Sequence, residues 1–142
     1  MTTTMLLLVS CAVGLGCAMQ APRSSKSSSD LREICQRILD ASALDKYFHV
    51  DTRPERKPLV VLKNDVLSEE IALTKFGTGV KYATREELQT GSRPYFEFRQ
   101  ITITGDEANV DFAYPPEGIR GTAKLNRQPA GWTVTNVKLV ER

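Results

Sequence analysis

Apolar and polar positions follow two different periods along this chain, and the change of period divides it. Leu31, Ile34, Cys35, Ile38 and Leu39 recur at i, i+3, i+4, i+7 and i+8. That spacing puts side chains on one stripe of an α-helix. Asp30 followed by Glu33 has the separation of a capping box, so the pattern predicts an amphipathic helix from Asp30 to about Leu44. The C-terminal third instead alternates with period two. Strand-like runs at 95–104, 108–114, 119–126 and 132–140 are separated by Gly105-Asp106, by Pro115-Pro116-Glu117-Gly118 and by Gln128-Pro129-Ala130-Gly131, all turn chemistry. Ile101, Ile103, Ala108, Val110, Phe112, Tyr114, Ile119, Ala123 and Leu125 fall on one face. Thr102, Asn109, Asp111, Arg120, Thr122 and Lys124 fall on the other. One buried and one solvated face is the signature of an antiparallel sheet covered on one side. In the last run the phase shifts between Val134 and Val137, which predicts a bulge near Thr135 or Asn136.

Between these regions the pattern is weaker. Positions 45–58 (DKYFHVDTRPERKP) are dense in charge and punctuated by Pro54 and Pro58, which predicts an irregular loop. A short strand is expected at 59–62, and 68–76 is ambiguous, with a leaning to strand at 71–75. Gly77-Thr78-Gly79 predicts a turn before a strand at 80–83. Thr84 with Glu87 is a second capping-box spacing, for a short helix ending near Gly91. The expected fold class is therefore α+β: an N-terminal amphipathic helix packed on a curved antiparallel sheet that ends in a four-stranded meander.

The first thirty residues belong to neither period. Met5 to Gly16, MLLLVSCAVGLG, is an uncharged and mostly apolar run of twelve residues, the length of a signal-peptide core and too short to span a bilayer as a helix. Its end, Val13-Gly14-Leu15-Gly16-Cys17, resembles the lipobox of bacterial lipoproteins. That resemblance implies a diacylglycerol thioether on Cys17, cleavage before it and acylation of the new amine. With Ala18 rather than aspartate after the cysteine, it also implies an outer-membrane address facing the periplasm. Gly14 stands where leucine is usual, and Met1-Thr2-Thr3-Thr4 has no basic residue. Ordinary cleavage after Ala18, giving a soluble periplasmic or secreted protein, is one alternative, and translation from Met19 without export is another. Leu8-Val9-Ser10-Cys11 also fits the motif's residue classes but leaves too short an apolar run ahead of it. The segment after Cys17, AMQAPRSSKSSS, is serine-rich and nearly without apolar side chains, which predicts a flexible tether. The organisation expected is a signal at 1–16, a lipidated cysteine and tether at 17–29, and one domain at 30–142.

Charge changes this picture by exclusion. Nineteen Lys and Arg stand against seventeen Asp and Glu, interspersed in sign, so no basic stripe for nucleic acid is present. The expected domain carries one thiol, Cys35, which reads as a small buried hydrophobe on the helix stripe. One histidine, His49, and one domain cysteine cannot build a zinc site of the usual kind, and no metal or other cofactor is expected. Gly77-Thr78-Gly79 lacks the further residues of a dinucleotide or phosphate loop.

The best candidate site is the charged loop, with Tyr47, His49, Asp51, Arg53, Glu55 and Arg56. A histidine beside a carboxylate can act as general base, and arginines can clamp an anion. A helix followed by a long antiparallel meander that ends in Gly131, Trp132 and Val134 resembles the cystatin-like group of folds, including the nuclear-transport-factor-two-like cone. That resemblance implies a scaffold shared by enzymes and binding modules and transfers no functional residue. The expectation is a non-catalytic envelope lipoprotein that meets the membrane through its anchor and binds a protein or small ligand. A small-ligand pocket or enzyme on a cone, and a secreted inhibitor or immunity-type protein, are the alternatives.

Overall fold

The computed structural model describes residues 27–142, so Cys17, the signal segment and most of the tether lie outside the described residues. The domain is α+β, as the two periods predict. Helix α1 runs Ser28–Leu39, two residues earlier than the Asp30 boundary. Ser27 is its N-cap, with Oγ accepting from the Asp30 N–H at 3.1 Å. Asp30 and Glu33 do not form the expected box, because the sheet takes both side chains.

The expected single helix to Leu44 is two helices. Asp40 closes α1 by donating its N–H to Gln36 O at 3.0 Å, and Ala41 is extended. Lys75 Nζ takes the carbonyl of Leu39 at 2.6 Å, satisfying one of the orphaned acceptors at the helix end. Helix α2, Ser42–Phe48, then turns Leu44 and Phe48 into the core. The predicted irregular loop is thus helical at its start and holds a 3-10 turn at Pro54–Arg56.

Strand β1 (Val60–Leu62) pairs in parallel with β4 (Lys81–Ala83). It also exchanges backbone hydrogen bonds with Phe96, Leu62 N to Phe96 O at 2.9 Å and Phe96 N to Val60 O at 2.8 Å. Of the expected strand at 71–75 only β2, Thr74–Lys75, forms, in a hairpin with β3, Thr78–Gly79. Phe76 and Gly77 make its two-residue turn, both at positive φ (57° and 72°), the pattern of a type I′ turn. The Phe76 ring meets Phe48 edge-on at 5.2 Å. Helix α3, Arg85–Gly91, carries the capping box predicted from Thr84 and Glu87.

Strands β5 (Glu97–Thr104), β6 (Glu107–Tyr114), β7 (Ile119–Gln128) and β8 (Gly131–Glu141) form the expected meander in sequence order. Lys124 pairs with Asn136 and Leu125 with Val134, so Thr135 is the extra residue of the predicted bulge. A second bulge in β5 leaves Arg99 unpaired between Phe98 and Gln100. It resolves a phase change visible in the sequence, Phe96 and Phe98 inward and then Ile101 inward.

The inner face packs Phe96, Phe98, Val110, Phe112, Tyr114, Leu125 and Trp132 against Ile34, Cys35, Ile38 and Leu39 of α1. The helix is also clasped to the β7–β8 hairpin by polar contacts. Asp30 accepts from Trp132 Nε1 at 3.0 Å and from Arg127 Nη2 at 2.8 Å, and Glu33 accepts from the Trp132 N–H at 2.9 Å. Among the described residues no helix is long and apolar enough to cross a membrane.

Candidate functional site

The charged segment after α2 is built around Arg56. Phe48 sinks into the core at the end of α2, His49 takes a left-handed conformation (φ 49°) that ends the helix, and the 3-10 turn at Pro54–Arg56 brings the guanidinium back beneath α2. Nη2 pairs with Glu117 at 2.6 Å, and Nη1 donates to the carbonyls of Tyr47 at 3.3 Å and Phe48 at 3.2 Å. The Arg56 side chain is only 9 % exposed and lies over the Tyr114 ring at 5.8 Å. His49 Nε2 is 3.7 Å from the other Glu117 oxygen, and Tyr47 donates its hydroxyl to Glu141 at 2.6 Å.

Three of the six residues singled out from sequence, Tyr47, His49 and Arg56, therefore gather where α2 meets the β6–β7 turn and the end of β8. Asp51 and Arg53 stay on the surface, with Arg53 3.8 Å from Glu55. The guanidinium is nearly buried, and its contacts are to the carbonyls at the end of α2 and to the turn carboxylate. A network so satisfied fixes a loop. Beside it the Tyr114 hydroxyl is buried with no hydrogen-bond partner, and burial raises its pKa despite the nearby Arg56 charge.

The inner face of the sheet is filled. Phe112 and Trp132 are buried within the cluster that includes α1, and no buried side chain among the described residues is an acid, a base or a histidine. Cys35 lies in this core, where burial pushes its thiol up to about 12. At neutral pH it is the protonated, unreactive form. No group of three or more potential metal ligands occurs among the described residues.

The opposite, outer face carries a groove of about 500 Å³ lined by Arg99, Gln100, Asp111, Arg120, Thr122, Lys138 and Val140, with Phe112 and Gly121 contributing. Gly121 pairs directly with Phe112. A side chain there would run into the Phe112 ring and come within 2.8 Å of Leu139, so the glycine is what lets the ring lie across β7. Arg99, Arg120 and Lys138 are exposed and Asp111 is half-buried. None of these four makes an ion pair or a side-chain hydrogen bond within the described residues. Val140 is 50 % exposed.

Sequence reasoning placed Asp111 and Arg120 on this face but did not group them with Arg99 and Lys138. The missing step was the cross-strand register, which the hairpin lengths and the β5 phase change encode.

Fold and groove together define an α+β domain with one sheet face sealed by helices and the other open and lined by cations. No protein-family model matches the chain, and no curated protein matches it. Among solved structures it is similar to a solution NMR structure of a de novo designed β-sheet protein, with 17% identity and a TM-score of 0.29 over 40% of this chain and 69% of that one. A similarity of that extent carries no argument about fold or function.

Proposed function

We propose that this chain is a cell-envelope lipoprotein, held to the membrane through Cys17, whose domain is a non-catalytic binding module that presents the outer face of the β5–β8 sheet to a partner or small ligand. The observation that carries the reading is the groove. Its three cations and one carboxylate have no partner within the domain, whereas Arg56, the one nearly buried charge of the loop after α2, is committed to holding the fold. Exposed polar and charged side chains without a structural task are the usual material of a binding surface. The anchor rests on the apolar run before Cys17 and the serine-rich segment after it.

A photo-crosslinking residue at Thr122, in cells, tests the binding face. Adducts are read by mass, whether protein or small molecule, and Arg32 on the exposed side of α1 serves as the comparison position. Adducts at Thr122 and none at Arg32 are expected, while equal yields at both or none at Thr122 remove the outer face as the binding surface. For the anchor, metabolic lipid labelling is expected to vanish in Cys17→Ala, and labelling that survives excludes Cys17.

A further inference from the structure

Four strands each contribute one charged side chain to the groove: Arg99 from β5, Asp111 from β6, Arg120 from β7 and Lys138 from β8. Register alone brings them together. Asp111 pairs with Gln100 on one side and Thr122 on the other, and Thr122 pairs with Lys138. One step along, Arg120 lies between Ala113 and Val140. Arg120 and Lys138 are therefore diagonal neighbours on adjacent strands, about 7 Å apart at the backbone, so two long flexible side chains can reach one ligand group. Arg99, the extra residue of the β5 bulge, sits opposite Phe112 and Asp111. A bulge re-aims the side chain it carries, and here that side chain lines the same groove.

The charge count selects the ligand. Three cations and one carboxylate leave the groove at a formal +2, and like charges gathered in one concavity repel unless an anion occupies it. A carboxylate ligand offsets half of that. A phosphate monoester carries about −1.5 to −2 at neutral pH, and its oxygens match the planar donor fork of arginine. Resting on the reading of the outer face as a binding surface, we propose that the groove is a site for a phosphate monoester group, with Arg99, Arg120 and Lys138 as its ligands and Asp111 setting its net charge. The same group is offered by a soluble phosphorylated molecule and by a lipid headgroup.

The test uses the full-length chain bearing Cys17→Ala, which removes the lipid. Vesicle binding is read as the difference between vesicles with and without phosphatidic acid, so that the apolar run at 5–16 contributes to both and cancels. The probes are glycerol 3-phosphate in titration calorimetry, and vesicles of phosphatidylcholine with or without phosphatidic acid in sedimentation. Binding of either probe is expected to weaken about tenfold or more in Arg120→Gln and in Lys138→Gln, and to stay unchanged in Arg32→Gln. Asp111→Asn is expected to tighten binding about threefold, because an acceptor remains while a like charge is removed. A damaged fold cannot produce a gain, and Trp132 fluorescence checks folding in each variant. Capture of glycerol 3-phosphate assigns a soluble source, and capture of phosphatidic acid vesicles alone assigns a lipid source. Binding of neither probe, or binding indifferent to Arg120→Gln, Lys138→Gln and Asp111→Asn, overturns the phosphate assignment. If Thr122 still forms adducts in cells in that event, the binding face stands and only its ligand class falls.

Discussion

The charged segment after α2 and the outer face of the β5–β8 sheet both display arginine, and the two regions use it in opposite ways. Arg56 is nearly buried and makes three short contacts, two to carbonyls at the end of α2 and one to Glu117 in the β6–β7 turn. Arg120 is exposed, stands in a groove with two other cations and has no partner in the domain. The first guanidinium joins two elements that are far apart in sequence, and the second joins nothing within the fold. Density of charge along a chain therefore does not mark a binding site. On the proposed reading, what marks it is whether the fold itself supplies the countercharges and acceptors, since a nearly buried guanidinium already bound to a carboxylate and two carbonyls has little left to offer a ligand.

Substitutions can break or sharpen this contrast. The largest effect is expected for Arg56→Ala, which leaves Glu117 and two carbonyls without their donor and costs about 3 kcal/mol of stability. Arg120→Ala is expected to change stability by less than about 0.5 kcal/mol. Urea unfolding of the two variants side by side checks both, and equal losses would erase the distinction. At the border between core and groove, Gly121→Ala drives a methyl group into the Phe112 ring and is expected to cost about 2 kcal/mol. Its neighbour Thr122→Ala, which faces the open side, is expected to be near neutral by the same measurement.

The clasp of α1 offers a third, smaller effect with a pH signature. The hydrogen bond from Arg127, then the one from Trp132, holds the Asp30 carboxyl below the usual carboxylate range. Its folded pKa is thus lower than its unfolded one, so the contribution is complete above the ordinary aspartate pKa and is lost as pH falls through the lowered value. Asp30→Asn is expected to cost about 1 kcal/mol near neutral pH and to flatten the acid limb of the stability curve below about pH 4, as thermal unfolding across pH 2–7 would show. An acid limb as steep as in the unsubstituted chain would assign that limb to other groups. The smallest effects, a few tenths of a kcal/mol at most, are expected for Asp51→Ala and Arg53→Ala in the same unfolding assay. Both lie in the charged segment but outside the Arg56 network, so a larger loss would extend that network to them.

The meander, its turns, the second capping box and the bulge at Thr135 were all legible in the sequence, because each is a local pattern read through periods of two residues or three to four. The candidate site was less legible. Leu44 and Phe48, four residues apart and both buried, marked α2 across the boundary between the expected helix, which ended at Leu44, and the expected loop at 45–58, but the surrounding charges masked them. Arg99 was signalled by the change of phase from Phe98 to Ile101. Its grouping with Arg120 and Lys138 required three registers at once.

By itself the sequence determined the α+β class, the placement of one helix stripe and four alternating strands, and which strand face is apolar, since side-chain period follows from backbone geometry alone. Tertiary structure decided the rest. It passed Asp30 and Glu33 from a local cap to the β7–β8 hairpin, used Lys75 to end α1 and Arg56 to fix the α2 segment, and left Arg99, Arg120 and Lys138 together without a partner. The physical reason is that a charge's role depends on which donors and acceptors lie within a few ångströms, and here those partners come from chain segments as far as about a hundred residues away.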